Sequence, residues 1–445
     1  MNFRFLISLW AAKTSIPLLK ITKHNGTDFP GSLALKICPN FLHFVEKPKQ
    51  IIAVTGTNGK TTLSNILIDI LEQNGKKVLH NKEGSNITSG ISTAFIRKCD
   101  LTGKIKDCDL AVLEVDERSS ARIYKYITPT YIVVTNLFRD SIMRNAHPEY
   151  IADFLTDSIP PESKLILNAD DLISCSIAKE NDRIYFGMDK LKSDVSECEN
   201  LLNDMRICPV CSGKLKYQYI KYHHIGKATC CDCGFSSPEA DFFAHNINFD
   251  DMTMYVSEKN HEDISCKLIS DSVFNIYNMI AAIATLRQMD MSYENIIIPL
   301  ENTKVISTRY SREQFGNIGI IMQMTKDKNA LACSRNFDYI RSQPGQKELL
   351  LMMNCIGVSK TWSENPSWMY DTDFEFIIQD DVSQYVCAGA RAYDYKLRLL
   401  LAGAPEDKIY VNTDEFEALK LLNLKDEEDV YILYGVDGVP LAFKV

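Results

Sequence analysis

Three groups of residues have the types and spacing to do chemistry. The first is Gly56-Thr57-Asn58-Gly59-Lys60-Thr61-Thr62, a Gly-rich turn between an apolar β-branched run, Ile51 to Val54, and a stretch of helical periodicity, Thr61 to Asn74. Backbone N–H groups in such a turn, with the positive end of the following helix, make a cradle for phosphate. Lys60 is placed to reach β- and γ-phosphates and the Thr61 hydroxyl to hold Mg²⁺. The turn is two residues shorter than the GxxxxGK[ST] loop, so its strand and helix context carries the nucleotide reading.

The second group is acidic. Leu110 to Glu117 reads as a strand ending in Glu114, Asp116 and Glu117. Mg²⁺ prefers a carboxylate together with substrate phosphates, which makes Glu114 the metal or water-orienting candidate. Asp116 and Glu117 are left to cap the following helix. Asn136, Arg139 and Asp140, in Thr135 to Asp140, sit at another strand end, where Arg139 could equally just pair with Asp140.

The third group is Cys208-Pro-Val-Cys211 and Cys230-Cys-Asp-Cys233, two CxxC knuckles separated by residues 212–229. Each knuckle offers two soft ligands from one tight turn, the pattern of a structural Cys₄ zinc ribbon. Cys231 leaves the second knuckle ambiguous, with Cys230 and Cys233 at the right spacing. His223 and His224 lie between the knuckles and read as surface residues.

These residues need a scaffold. Strands at Lys77 to His80, Leu110 to Glu117, Tyr131 to Asn136 and Lys164 to Asn168 alternate with helical stretches, which implies a parallel α/β sheet wrapped by helices. Ligands in such sheets sit beyond the carboxyl ends of the strands, where all the candidates of the first two groups fall. Gly75 reads as the stop of the phosphate-loop helix, and a short helix is expected around Ser32 to Lys36. Phe274 to Ala282 begins a helix in which Asn275 and Asn278 share a face, Asn275 reading as an N-cap.

The composition shifts over residues 301–316, which places a boundary between a first domain, 1–305, with the ribbon inserted at about 205–240, and a second, 306–445. Ile318 to Gln323, Glu348 to Met353, Phe374 to Ile378 and Val430 to Tyr434 read as strands of a smaller α/β domain. A length of 445 residues is too great for one core. A net charge of −9 argues against a nucleic-acid partner. Fourteen thinly spread cysteines, four with metal spacing, suit a reducing cytoplasm. The apolar run Phe3 to Ala12, broken by Arg4 and Lys13, is too short to span a membrane. It reads as a helix packed on the domain, with at most peripheral contact with the inner membrane face.

Together, TGTNGKTT (55–62), Glu114, TNLFRD (135–140) and FNIYNMIAA (274–282) resemble the Mur ligase family. The inserted ribbon, FPGSLALKICPNFL (29–42) and GARAYDYKLRLLLAG (389–403) resemble its MurT branch. The resemblance covers essentially the whole chain. It implies a Mur-ligase-type central domain and an ATP-dependent amide-forming ligase. Such an enzyme phosphorylates the α-carboxylate of D-glutamate in the lipid II stem peptide and amidates it with ammonia from a separate GatD-like glutaminase, in a heterodimer. By position, Gly56 to Thr62 and Asn275 bind the nucleotide, with Asn275 near the adenine, Lys60 acts on phosphate, and Thr61 and Glu114 hold Mg²⁺.

Members of this branch carry an Asp-rich loop, one aspartate of which completes the glutaminase triad. Here the loop, 354–368, has no aspartate, and Glu364 is its one carboxylate. The family's lysine-Asn-Pro stretch is replaced by Thr325-Lys-Asp-Lys328. A stand-alone amino-acid ligase and a nucleotide-binding scaffold of cell-wall assembly are the competing readings.

Overall fold

The computed structural model describes residues 2–21, 26–82, 85–139, 147–303, 310–325, 329–353, 366–425 and 428–435. The chain forms two compact units, one of residues 1–138, 147–198 and 203–305, the other of residues 139–146, 199–202 and 306–445. The α/β expectation holds for both.

The first unit is built on a nine-stranded sheet. Its strands are β1 (Ile51–Thr55), β2 (Val78–His80), β3 (Leu110–Glu114), β4 (Tyr131–Val134), β5 (Lys164–Asn168), β6 (Arg183–Met188), β9 (Phe242–Asn248), β10 (Thr253–Glu258) and β11 (Ile264–Lys267). Between β6 and β9 the chain makes a separate hairpin, β7 (Leu215–Tyr222) with β8 (Ile225–Cys230). The sheet order is β11-β10-β9-β6-β5-β4-β1-β3-β2, parallel from β2 through β9, with β10 and β11 antiparallel at one edge.

All five residues of β1 are buried, as expected of a central strand covered on both faces. The chain runs from β1 outward to β2, back through β3, and then to β4 on the other side of β1. The crevice for a ligand therefore opens at the carboxyl ends of β1, β3 and β4. The helix Lys60–Gln73 buries Leu63, Ile66, Leu67, Ile70 and Leu71, an i, i+3, i+4, i+7, i+8 stripe. Each such side chain contributes about 1.5–3 kcal/mol of burial. Gly75, at φ +74°, ends this helix: Gly75 N–H donates to Glu72 O and Lys76 N–H to Leu71 O.

The strand expected over 110–117 stops at Glu114, where the chain turns into a short 3₁₀ segment, Glu117–Ser119. The short N-terminal helix extends over Phe29–Ile37. A longer one, Phe3–Ile21, packs Phe5, Leu6, Leu9 and Ala12 inward and leaves Phe3, Ile7, Trp10, Leu18 and Ile21 exposed. Among the described residues, no helix is long and apolar enough to cross a membrane.

The second unit holds a six-stranded sheet: β12 (Tyr310–Phe315), β13 (Ile318–Met324), β14 (Lys347–Met352), β15 (Val382–Ala388), β16 (Ile409–Asn412) and β17 (Asp429–Tyr434). Its order is β12-β13-β17-β14-β15-β16, parallel except for the β12–β13 hairpin. Phe374–Ile377 is a 3₁₀ turn instead of a strand. The buried Arg398 draws the chain into that turn, donating to the Met369 and Thr372 carbonyls and to the Glu375 carboxylate. The strap Glu199–Leu202 also belongs here: Leu201 N–H and Asn200 Nδ2 both donate to the buried Asp373 carboxylate.

Candidate functional site

The turn after β1 needs glycine twice. Gly56 has φ +122°, and a Cβ there would lie 2.3 Å from Thr135 Oγ1 and 2.8 Å from Asn136 O. Gly59, left-handed at φ +91°, caps the helix Lys60–Gln73, and a Cβ there would meet Asn278 Oδ1 at 2.7 Å.

The strand end after β4 clamps this turn. Asn136 Oδ1 accepts from Asn58 N–H at 3.0 Å, and its Nδ2 donates to Asn58 O at 3.0 Å. Thr57 N–H donates to Asn136 O at 2.8 Å, Thr135 Oγ1 to Asn58 O at 2.6 Å, and Phe138 N–H to Thr57 Oγ1 at 2.9 Å. Thr135 and Asn136 thus brace the backbone that would face phosphate.

Lys60 points back across the turn, donating to Gly56 O and to Glu117 Oε1 at 3.0 Å. Both side chains are almost wholly buried. Burial alone would drive the proton off Lys60, but the carboxylates of Glu117, Glu114 and Asp116 outweigh it and hold the ammonium above the ordinary lysine range. Burial pushes the Glu117 carboxyl up, with Lys60 opposing. Of the two expected capping acids, only Asp116 caps, accepting from Arg118 N–H at 3.1 Å. Glu117 is the residue that sequence reasoning misassigned.

Glu114 sits half-buried at the end of β3, its Oε1 accepting from Asn86 Nδ2 at 3.0 Å. Thr61 is exposed in the first helical turn and Thr62 half-buried beside it. Glu364 and Asp140, and with Asp140 the expected pairing to Arg139, lie outside the described residues.

Beside Gly59 a cleft opens against the helix Val273–Arg287. Asn58, Asn136 and Asn278 line it with amides, and Phe186, Tyr222, Phe274 and Tyr277 with rings. Amide and aromatic side chains lining one cleft suit a purine, whose edge hydrogen-bonds and whose faces stack. Asn275, half-buried one turn earlier, is not among the lining residues. Ser272 is the N-cap, so Asn275 does not serve that role.

The sulfurs of Cys208, Cys211, Cys230 and Cys233 all lie within 4.8 Å of one another, with Cys208–Cys233 at 3.7 Å and Cys211–Cys230 at 3.5 Å. Tetrahedral zinc with Zn–S bonds of about 2.3 Å sets sulfurs about 3.8 Å apart, so the cluster fits that ion. Val210, Gly213 and Asp232 N–H groups donate to Cys208, Cys211 and Cys230 sulfurs, each at 3.4 Å. The N–H groups of Cys233 and Asp232 pull the Cys230 thiol down to about 7. Cys231 stays outside the cluster and exposed.

The two histidines between the knuckles are buried, not on the surface. They sit at the β7–β8 tip, where the His224 ring lies 4.5 Å from the Phe138 ring and its Nε2 3.3 Å from Asp171 Oδ1. Residues of a long insert look solvent-facing in sequence. Here the hairpin folds back onto the domain.

A family model described as the Mur ligase middle domain matches residues 54–229, and one described as MurT ligase C-terminal matches residues 327–435. The chain is 32% identical over 416 residues to the lipid II isoglutaminyl synthase (glutamine-hydrolyzing) subunit MurT of Staphylococcus aureus (strain COL), covering 91% of each. It is 28% identical over 438 residues to the subunit of that name in Streptococcus pneumoniae, covering 97% of this chain and 95% of the relative. Among solved structures, a pseudomurein peptide ligase type C from Methanothermus fervidus superposes with a TM-score of 0.68 at 21% identity, over 91% of this chain and 80% of that one. That likeness speaks for the fold alone.

Proposed function

This chain belongs to the MurT branch of the Mur ligase family, and from that premise we propose that it is the ATP-dependent amide-forming subunit of a lipid II isoglutaminyl synthase. The observation that carries the reading is the braced turn Gly56 to Thr62, with buried Lys60 held charged beside an amide-lined cleft.

In this reading the D-glutamate α-carboxylate of the stem peptide attacks the γ-phosphorus of ATP, giving an acyl-phosphate and ADP. Ammonia then adds to the acyl carbon, phosphate leaves, and a proton goes to solvent, leaving the amide. The turn's N–H groups and Lys60 hold the β/γ-phosphates and offset the charge that develops as the phosphoryl group moves. Phosphate contact draws Lys60 from Glu117, while Asn136 and Thr135 keep the turn in place. Thr61 and Glu114 would hold Mg²⁺, which supplies charge neutralisation between phosphate oxygens. Asn278 or Asn275 meets the adenine edge, the cleft favouring Asn278. Zn²⁺ at Cys208, Cys211, Cys230 and Cys233 is structural, since four thiolates leave no open position.

Ammonia comes from a GatD-like glutaminase docked on the C-terminal unit. The helix Phe3–Ile21, with its exposed apolar stripe, supports a location at the inner membrane face, where a lipid-linked substrate resides. Glu364 is the acid offered to the partner's triad. The test compares nitrogen sources with purified chain, glutaminase and lipid II. Ammonium should support ATP-dependent amidation, glutamine should support it more weakly, and Glu364→Gln should remove the glutamine-driven part alone. No amidation with either source refutes the reading, and equal rates from both sources in wild type and variant place the triad acid elsewhere.

A further inference from the structure

We propose that the tip of the zinc hairpin is a wall of the nucleotide site, Tyr222 stacking on the base, so that metal in the four-cysteine centre sets nucleotide affinity. The inference presupposes the nucleotide reading above. The knuckle end and the tip end of the β7–β8 hairpin are set by register: Leu215 pairs with Cys230 at one end and Tyr222 with Ile225 at the other. Seven residues of strand put these ends roughly 20 Å apart. The hairpin is thus a lever with the metal ligands at one end and Tyr222 in the cleft at the other.

The tip is seated on the cleft walls. The Tyr222 ring centroid is 4.1 Å from that of Phe274 and 5.8 Å from that of Phe138. Phe138 in turn bonds Thr57 in the phosphate turn, so the tip touches both base and phosphate sides of the site. A second joint is the buried Asp170. It accepts from Tyr219 of the hairpin at 3.3 Å and from Tyr277 of the cleft helix at 2.7 Å, while its carbonyl accepts from Gly226 N–H at 2.8 Å. Loss of the metal frees the knuckles, and the strand that carries Tyr222 loses its far anchor.

The test measures Mg²⁺-ATP and Mg²⁺-tripolyphosphate binding by calorimetry to full-length wild type, Tyr222→Ala, Tyr222→Phe and Cys211→Ser. Tyr222→Ala and Cys211→Ser should each weaken ATP about tenfold, the effect of one lost base–ring stack, and Tyr222→Phe should not. Tripolyphosphate, which has no base, should bind all four alike, and zinc should remain bound in both Tyr222 variants. Cys211→Ser combined with Tyr222→Ala should weaken ATP no further than either alone. Wild-type ATP affinity in Tyr222→Ala, or equal loss of ATP and tripolyphosphate, overturns the inference while leaving the nucleotide reading intact. A wild type that binds neither ligand overturns both.

Discussion

The pair Lys60–Glu117 sets the charge balance of the turn Gly56 to Thr62. Two opposite charges, both nearly removed from water, are tolerable only together, and removing one partner of such a pair costs about 3 kcal/mol or more. We therefore expect Glu117→Gln to lower the unfolding free energy by about 3 kcal/mol, with Mg²⁺-ATP restoring part of it as phosphate replaces the lost carboxylate. Lys60→Ala should reduce ATP turnover about a thousandfold with the fold retained, and near-wild-type phosphoryl transfer would contradict its role. Its stability should depend on pH. Glu117 has a folded pKa above its ordinary 4.5, so its stabilising share is complete below that value and lost as pH rises through the folded one. Without Lys60 the folded value climbs further, and the deficit of Lys60→Ala against wild type should shrink in denaturant titrations as pH falls through the raised folded value toward the ordinary carboxylate range. Lys60 was legible from a Gly-rich turn between strand and helix. Glu117 was not, because Asp116 and Glu117 offer the same carboxylate to a helix start, and only the 3₁₀ turn assigns one to the cap and the other inward.

At the scale of elements, the end of β4 acts as a splint for the phosphate turn, through both amide atoms of Asn136. Asn136→Ala removes two hydrogen bonds worth about 1 kcal/mol each, so we expect the KM for ATP to rise about tenfold and the melting temperature to fall by several degrees. An unchanged KM would show that Gly56 to Lys60 holds its shape unaided. Sequence showed that TNLFRD belonged at a strand end but not that it would grip a neighbouring loop, since pairing across a sheet has no signature in linear spacing. Elements with strong periodicity were readable: the stripe Leu63 to Leu71 and the buried run of β1 each admit one structure. Phe374–Ile377 misled because three apolar residues in four look like a strand. A guanidinium from a distant helix, Arg398, takes the carbonyl before it and closes it into a turn. Val382–Ala388 escaped notice because Ser383 and Gln384 interrupt its apolar run, although both sit within the parallel sheet.

For the molecule as a whole, the exposed thiols among the described residues, Cys211, Cys231 and Cys233, all lie in the ribbon. We expect one zinc per chain by elemental analysis, lost in Cys208→Ser and kept in Cys231→Ser, because Cys231 stands outside the sulfur cluster. Zinc lost in Cys231→Ser would exchange the roles of Cys230 and Cys231, and zinc retained in Cys208→Ser would overturn the four-cysteine site. The spacing of the knuckles was fully legible, and the seating of the hairpin tip was not, since Tyr222 packs on Phe138 and Phe274, rings on other elements and distant in sequence. The composition shift near residue 305 gave no sign that the strap Glu199–Leu202 groups with residues 306–445. That strap has a genealogical consequence. A buried carboxylate, Asp373, takes two of its donors from residues encoded more than a hundred codons upstream. The C-terminal unit is therefore not a cassette: a crossover at residue 306 would hand a new host the acid without its donors. Transfer of residues 306–445 alone should cost that unit stability which transfer together with the segment between β6 and β7 would keep.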